Sequence, residues 1–463
     1  MKKTCLTLAM GLCLSVNAFA DDLMTVYQLA KDNDPLINRA VAEKDRAYAG
    51  VDLSRANLLP QISGSVSYSD TSSDIEFEQF VGEGQTVTIS GERESNDFTY
   101  GIDLTMSIYD HANWVGLNRA ELIAQQSDAT LAATLQELMS RTVNAYLAIL
   151  REQDNVEFVK AELAAIERQL EQTKQRFEVG LTAITDVHEA QANFDNTVAR
   201  QIRAENQLEL RLEELREITG KYHNQVFILD TDKFAPTKPE PENVTDWLSL
   251  AEEMNLTLLA QRFAKDIAKE DIDIAQAGRY PTLGLRGNYD IGNSDTTTTI
   301  NGGDAPVIDD PGPLDSQSIA LNLNVPIYLG GSVGARAEQA RASYVVASEN
   351  LELTYRQTVR TVRSSYNDVR ASISTIRALE QSVISAESAL QATEAGFDVG
   401  TRTIVDVLDS TRNLFDARRN LADARYVFIA SIVALKRAAG TLSEEDLTAV
   451  NRALKPQLPA SQS

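Results

Sequence analysis

Two stretches of the chain carry apolar residues at alternating spacings of three and four positions. They comprise Val156, Val159, Leu163, Ile166, Leu170, Thr173 and Phe177, and then Ile376, Leu379, Val383, Ala386, Leu390, Thr393 and Phe397. This spacing is typical of helices that pack side by side as coiled coils. Neither Gly nor Pro occurs between Gly116 and Gly180 or between Gly334 and Gly396. Each run could therefore form one helix on the order of 90–95 Å long.

Four other segments alternate apolar and polar residues, which predicts β-strands with two different faces. The clearest segments are 98–108 and 318–327, and 62–68 and 283–291 alternate in the same way. We expect strand pairs at about 59–70 with 96–109 and at about 280–292 with 317–328. Strands of about 9–11 residues with one apolar face are typical of outer-membrane barrels, although a soluble antiparallel sheet has the same alternation. The polar stretches 70–95 and 292–316 are expected to be exposed extracellular loops.

The chain also repeats itself with an offset near 220 residues. FEVGLTAITDV at 177–187 matches FDVGTRTIVDV at 397–407, and both apolar seams keep the same offset. So long a period indicates a duplicated unit and not a solenoid. The expected organisation is a first repeat 21–220, a linker 221–245, a second repeat 246–440 and a C-terminal segment 441–463. Each repeat has the order helix, strand, loop, strand and long helices.

The N-terminus predicts export. Lys2 and Lys3 precede a mostly apolar run, and Ala18-Phe19-Ala20 forms a small-x-small cleavage site, so residues 1–20 are expected to be a signal peptide. Both cysteines lie within it, which leaves the mature chain without a thiol. Removing its two lysines changes the net charge from −24 to 41 − 67 = −26, which argues against nucleic acid as a partner. No later stretch is apolar enough for a membrane helix, so any membrane contact requires β-strands.

Four strands are too few to close a barrel, and open edges in lipid leave backbone groups without partners. The chain is therefore expected to oligomerise. Two copies would give eight strands, whose interior side chains fill the barrel, whereas three copies would give twelve. A transport function favours three copies. The alternative is a periplasmic coiled-coil spacer that never forms a pore.

Enzyme chemistry is not expected. The three histidines, His111, His188 and His223, are isolated in the sequence and lack metal-ligand spacing. The sequence also lacks a Gly-rich phosphate loop and a nucleophile motif. We therefore expect neither a metal nor a cofactor.

Several strings resemble the TolC family of outer-membrane efflux proteins. They are DLMTVYQLAKDNDPLINRA at the mature start, LLPQI and YPTLGL at the strand starts, two VG turns and GTRTIVDVLD. The resemblance covers about Leu23 to Asn451. It implies an α+β outer-membrane homotrimer with a twelve-strand β-barrel and a twelve-helix periplasmic tunnel. It further implies a passive exit channel that is recruited by a periplasmic adaptor and an inner-membrane efflux pump or ABC transporter.

The resemblance also implies a gate at the periplasmic tip. The gate arginine falls on Arg402, its acidic partner on Asp186 and a nearby glutamine on Gln175. Family members resembling this chain carry a tyrosine at the position of Phe397, and phenylalanine cannot make the hydroxyl's hydrogen bond. The lock is therefore expected to depend more on Arg402 and Asp186. As the end of an apolar seam, Phe397 is also interpreted as a packing residue.

Two further acids, Asp406 and Asp409, fall on positions that narrow the tunnel entrance in the family. In a trimer they would form a ring of six carboxylates that attracts cations. Taken without the resemblance, Asp406 and its repeat equivalent Asp186 are interpreted as ordinary first-turn acids that cap or complement a helix.

The turns 178–183 and 398–403 are expected to end the long helices, with Gly180 and Gly400 in left-handed conformations. The resemblance implies that these turns also dock the adaptor. The predicted docking residues are Gly180, Leu181, Thr182, Gly400 and Thr401.

Overall fold

The computed structural model describes residues 21–82, 84–300, 307–309 and 314–456. The expected signal peptide 1–20 and residues 457–463 of the C-terminal segment lie outside the described residues. The first half contains α1 (Leu23–Asn33), α2 (Pro35–Ala56), β1 (Gln61–Gly82), β2 (Gln85–Tyr109), α3 (His111–Glu178) and α4 (Ile184–Thr219). The rest contains β3 (Ile228–Leu229), α5 (Val244–Met254), α6 (Leu256–Ala277), β4 (Thr282–Ile300), β5 (Val307–Asp309), β6 (Leu314–Asn324), α7 (Ser332–Asp398), α8 (Ile404–Ala439), α9 (Glu444–Arg452) and β7 (Leu454–Lys455).

Helix lengths repeat between the two halves. Both α1 and α5 have 11 residues, both α2 and α6 have 22, and both α4 and α8 have 36. The long helices α3 and α7 have 68 and 67 residues. Helices α4 and α8 each end at a left-handed glycine, Gly220 (φ 72°) and Gly440 (φ 76°). These matches agree with a duplicated unit, while the bounds of the repeats stay a prediction.

The chain divides into two compact units. Of the described residues, the first unit comprises 21–42, 129–260 and 352–456, and the second comprises 43–82, 84–128, 261–300, 307–309 and 314–351. The first unit is helical apart from a short β3–β7 pair, and the second contains the larger sheet. Among the described residues, no helix combines the length and apolar content that crossing a membrane requires.

Both ends of the described chain pack into the core of the first unit. Its fully buried side chains include Tyr27 of α1, Tyr146 of α3 and Leu447 of α9. The Tyr146 hydroxyl donates to the carbonyl oxygens of Asp21 (3.2 Å) and Phe227 (3.0 Å), which ties the start of the mature chain to the linker. The linker in turn supplies β3, which pairs with β7 near the C-terminus. Burial of this apolar surface is the main force that stabilises the unit.

The two apolar seams differ in burial within one copy. Five seam residues of α3 are buried, namely Val156, Val159, Ile166, Leu170 and Thr173. On α7 only Ile376 is fully buried, and the following seam positions from Leu379 to Phe397 are half-buried. The α7 seam therefore keeps apolar surface available within a single copy.

The sheet of the second unit is antiparallel, with β1 paired to β2, β2 to β4, and β4 to both β5 and β6. The β1–β2 register runs from Gln61↔Thr105 to Gly82↔Gln85. This corrects two expectations. The strands extend well beyond 59–70 and 96–109, and the prediction of a loop at 70–95 is wrong because most of that stretch forms a regular hairpin. Beyond Tyr68 the apolar positions change to the other face of the strand, at Ile75 and Phe77, and Phe77 lies opposite Ile89, which favours an extended ladder.

The second strand pair also differs from its expected bounds. The predicted loop 292–316 begins as strand, since β4 continues to Ile300, and its remaining part includes residues outside the described ranges. Strand β6 ends at Asn324, earlier than the expected residue 328. Pro326 explains the early end, because proline lacks the N–H that a further ladder bond needs.

Candidate functional site

Two short turns close the helix pairs α3–α4 and α7–α8. In the first, Gly180 has φ 77°, its N–H donates to the Phe177 carbonyl (2.9 Å), and the Leu181 N–H donates to the Arg176 carbonyl (2.8 Å). This pair of bonds is a Schellman motif, which satisfies helix-end carbonyls around a left-handed residue. Both turn glycines adopt the left-handed conformation that was predicted for them.

The second turn repeats this geometry. Gly400 has φ 78° and donates to the Phe397 carbonyl (3.1 Å), and the Thr401 N–H donates to the Gly396 carbonyl (2.8 Å). Both turns expose apolar side chains, with Val179, Leu181 and Val399 70%, 76% and 75% exposed. The duplicated turns therefore present two similar apolar tips.

Asp406 caps the start of α8. The Thr403 N–H donates to its carboxylate (2.8 Å), and the Asp406 N–H donates to the Thr403 hydroxyl (3.3 Å), which forms a capping box. The hydrogen bonds from the backbone and hydroxyl of Thr403 lower the pKa of Asp406, and the nearby charge of Arg402 lowers it further. Asp406 therefore stays ionised and performs the capping role predicted from its position.

Asp186 has a related role at the start of α4. The N-cap residue there is Ala183, which offers no side-chain hydrogen bond. Instead, the Thr182 hydroxyl donates to the Asp186 carboxylate. Each first-turn acid thus bonds a threonine of its own turn.

Arg402 lies over Gly396 of its own turn. A Cβ added at Gly396 would lie 2.8 Å from Cγ of Arg402, so a larger residue there would force the Arg402 side chain to shift. Within the described part of one copy, Arg402 and Asp186 form no ion pair within 4.0 Å. Their predicted lock stays a prediction and requires a second copy or a rearranged turn.

A different arginine, Arg176, joins the two helix pairs near the turns. Its guanidinium carbon lies 4.4 Å from the centre of the Phe397 ring, and its Nη2 lies 3.4 Å from an Asp398 carboxylate oxygen. An arginine over an aromatic face is attracted by the ring's electrons. Sequence reasoning missed Arg176. One signal in the sequence could have revealed it, namely a difference between the repeats. The repeat equivalent of Arg176 is Gly396, so the arginine occurs only in the first half.

Phe397 also packs into a small apolar cluster. The buried members are Ile166, Ile404 and Leu408, and Phe194 packs beside them. The cluster joins α3 and α4 of the first half to α7 and α8 of the second. This contact agrees with the interpretation of Phe397 as a packing residue.

The remaining predicted residues have local partners. Asp409 lies 3.4 Å from an Arg412 guanidinium nitrogen one helical turn away, and Arg412 also donates to the Asn193 side chain of α4 (2.9 Å). Gln175 donates to Glu171 on its own helix (3.2 Å). Within the described part of one copy, no hydrogen bond joins Gln175 to Arg402 or Asp186.

Further ion pairs join the halves away from the turns. Glu162 of α3 is completely buried and accepts from Arg200 of α4 (2.6 Å), and Arg419 of α8 approaches its other oxygen at 3.7 Å. The Tyr426 hydroxyl of α8 donates to Asp154 of α3 (2.7 Å). Sequence reasoning missed these contacts, since no spacing pattern marks them. Breaking such buried pairs is costly, so they hold the helix pairs together.

The sheet in the second unit has one apolar and one polar face. Strand pairing places Val66 beside Tyr100 and Tyr100 beside Ile291, whereas Ser65 lies beside Gly101 and Gly101 beside Asp290. The apolar face is exposed, with Val66 72% and Ile319 87% accessible. Among the described strands, β1 pairs only with β2 and β6 only with β4, so both strands have a free edge.

Comparison with known proteins decides the family. The sequence matches the profile described as Outer membrane efflux protein over residues 26–221 and 247–441. The chain belongs to this family. It is 45% identical to outer membrane protein TolC of Vibrio cholerae over 442 residues, which cover 96% of each chain. It is 38% identical to TolC of Escherichia coli over 440 residues, which cover 94% of this chain and 85% of that protein.

More distant relatives and solved structures agree. The alkaline protease secretion protein AprF of Pseudomonas aeruginosa is 28% identical over 95% of this chain and 88% of its own. The solved structure of CusC aligns with a TM-score of 0.73 at 17% identity, covering 91% of this chain and 93% of that one. The outer membrane channel CmeC of Campylobacter jejuni aligns with a TM-score of 0.72 at 17% identity, covering 94% and 90%. This outer-membrane efflux protein therefore has the mostly helical fold, with a sheet, of these channels.

Proposed function

We propose that three copies of this chain form a channel across the outer membrane that serves as the passive exit duct of an export system. The observation that carries the proposal is the antiparallel sheet, whose four long strands β1, β2, β4 and β6 form one exposed apolar face, one polar face and free edges on β1 and β6. Only a closed barrel satisfies such edges in lipid. Three sheets joined edge to edge would give a twelve-strand barrel whose polar faces line the pore.

The long helices supply the periplasmic part. Each copy contributes α3, α4, α7 and α8, so three copies would form a twelve-helix tunnel. The half-buried α7 seam offers apolar surface for a neighbouring copy. Such packing favours helices arranged side by side around one axis.

The channel would work with a periplasmic adaptor and an inner-membrane efflux pump or ABC transporter. The comparisons support both kinds of system, since the family is described as outer membrane efflux protein and AprF is a protease secretion protein. The exposed tips suit adaptor docking, because Val179, Leu181 and Val399 offer apolar surface beside the predicted docking residues. Binding there would act directly on the turns that end both helix pairs.

The same tips would form the gate. Arg402 of one copy would reach Asp186 of another, with Phe397 and Gln175 nearby, while Asp406 and Asp409 would surround the axis as an acidic ring. Asp406 is suited to this role because its pKa is lowered and it remains charged. A ring of carboxylates attracts cations and repels anions.

Conductance in planar bilayers tests the gate assignment. We expect Arg402→Ala to raise the conductance of the purified channel, whereas Arg356→Ala, an exposed arginine elsewhere on α7, should leave it unchanged. Asp406→Ala with Asp409→Ala should weaken block by multivalent cations from the periplasmic side. Equal conductance of Arg402→Ala and the parent would show that the lock lies elsewhere.

A non-pore coiled-coil spacer is the competing function. Fractionation separates the two possibilities, because a barrel is extracted only by detergent and a spacer is recovered in the soluble fraction. The exposed apolar sheet face favours the barrel, since a spacer needs no lipid-facing surface.

A further inference from the structure

The β1–β2 hairpin is longer than a membrane requires. Strand β1 has 22 residues and β2 has 25, whereas a barrel strand crosses the hydrocarbon layer with about 9–11. The apolar face that suits lipid ends at the pair Tyr68↔Phe98. The remaining part of the hairpin, about 71–93, therefore extends beyond the membrane. It lies on the side of the membrane opposite to His111, where the long helix α3 begins.

The lipid-side face of the hairpin becomes acidic beyond that point. Side chains two apart on a strand share a face, so the face that carries Val66 and Tyr68 continues through the next even-numbered positions. On β1 these include Asp70, Asp74, Glu76 and Glu78, before the exposed Phe80 near the hairpin's end, and Glu92 and Glu94 lie opposite on β2. A face with so many carboxylates stays in water, and it repels the same face of a neighbouring copy.

The pore-side face changes in the opposite direction. Nearer the helices it carries Ser63, Ser65 and Ser67. Further out it carries Ile75, Phe77, Val87 and Ile89, with Phe77 directly opposite Ile89. In a single copy Phe77 and Val87 are 44% and 49% exposed. A face that only lines a water-filled pore is expected to be polar, so this apolar patch indicates an additional contact.

Close strand packing adds a fifth apolar residue. Gly91 pairs with Ile75 on one side and Ile300 of β4 on the other. A Cβ at Gly91 would lie 2.4 Å from the Thr299 carbonyl oxygen, so glycine allows the strands to approach here. Ile75 and Ile300 thereby belong to one continuous patch with Phe77, Val87 and Ile89, which we call the mouth patch.

We propose that the mouth patches of three copies pack against one another over the extracellular end of the pore and close it. The inference rests on the proposed trimeric channel. Barrel closure points the three patches at one axis, because they continue the pore-lining face. The acidic faces repel one another, so contact between the hairpins is favoured through their apolar faces. An apolar constriction of this kind closes a pore by excluding water, and passing cargo can displace it.

Cysteine cross-linking tests this arrangement. Both native cysteines, Cys5 and Cys13, lie in the expected signal peptide, so an introduced cysteine is unique in the mature chain. We expect Phe77→Cys trimers treated with a short bis-maleimide to yield covalent dimers on denaturing gels. The matched control is Glu76→Cys, whose side chain points to the opposite face and which should yield none.

Labelling from outside the cell tests closure. The cysteine introduced by Ser65→Cys, on the pore-side face, should react slowly with a bulky, membrane-impermeant maleimide. Adding Phe77→Ser and Ile89→Ser should raise its labelling rate about tenfold or more, the order by which burial of large apolar side chains shifts an equilibrium. Adding Glu76→Ser and Glu92→Ser instead should leave the rate unchanged.

The outcomes separate the closure from the channel. A parent protein that forms a detergent-extracted trimer and conducts, while Phe77→Cys gives no cross-link or no more than Glu76→Cys, overturns the closure alone. An unchanged labelling rate in the double serine variant does the same. A monomeric, non-conducting parent overturns the channel and the closure with it.

Discussion

Asp154 carries a charge at neutral pH in a site that disfavours it. It lies on α3 and accepts a hydrogen bond from Tyr426 of α8 (2.7 Å). Burial raises the pKa of Asp154 to about 6, against an ordinary value of 3.8, and repulsion from Glu157 adds to the increase. The hydrogen bond from Tyr426 and the charge of Arg425 act in the other direction. Replacement by asparagine keeps an acceptor for Tyr426 and removes the charge.

The sign and size of the effect follow from proton linkage. Because the folded-state pKa lies above the unfolded one, the unfolded chain releases this proton first as pH rises, and stability falls between about pH 4 and pH 6. The difference of about two pH units corresponds to at most about 3 kcal/mol above that window. Asp154→Asn should therefore be more stable than the parent at about pH 8 and similar to it at about pH 4.

Thermal unfolding followed by circular dichroism measures this difference across pH. A gain of about 3 kcal/mol would raise the unfolding midpoint by several degrees. Asp232→Asn, at an exposed position, is the control and should change nothing at any pH. A midpoint for Asp154→Asn that is equal to or below the parent's at about pH 8, or a gain that does not depend on pH, would show that the buried charge of Asp154 does not lower the stability of the fold.

Three further predictions concern the turns. Arg176→Ala removes the contact over Phe397, worth about 0.5–1 kcal/mol, and should increase conductance fluctuations in bilayers, whereas the exposed Arg168→Ala should not. Thr403→Ala removes a helix cap worth about 1 kcal/mol and should speed hydrogen exchange of the first α8 amides without affecting α4; equal protection would contradict the capping role. Gly400→Ala strains a residue with φ 78° and should lower the unfolding midpoint by an amount equivalent to about 1 kcal/mol, whereas Gly116→Ala, within α3 and with open space around it, should not lower it.

The sequence predicted the elements that a periodic pattern marks. The three-and-four spacing located α3 and α7, and the offset of 220 residues located their matching turns. Alternation located the strands, but it placed their ends too early in the hairpin. There the polar positions are mostly Ser, Thr and Glu, so composition resembled a loop while the pairing of Phe77 with Ile89 continued the ladder.

The candidate site was predicted less completely, because its contacts join residues far apart in the chain. The caps followed from first-turn acids, and the structure shows Asp406 bonded to Thr403. The contact of Arg176 with Phe397 spans 221 residues, and no local rule specifies it. The same holds for Tyr426 with Asp154, since ion pairs and hydrogen bonds between helices depend on tertiary packing.

In the proposed function, three copies of the chain close one barrel and conduct. The most direct measurement adds detergent-purified protein to a planar lipid bilayer and records single-channel currents, with subunit mass from the same sample. We expect a trimer that resists denaturing detergent until heated and that inserts as a cation-preferring channel. A soluble monomer, or a trimer that never conducts even after Arg402→Ala, would contradict it.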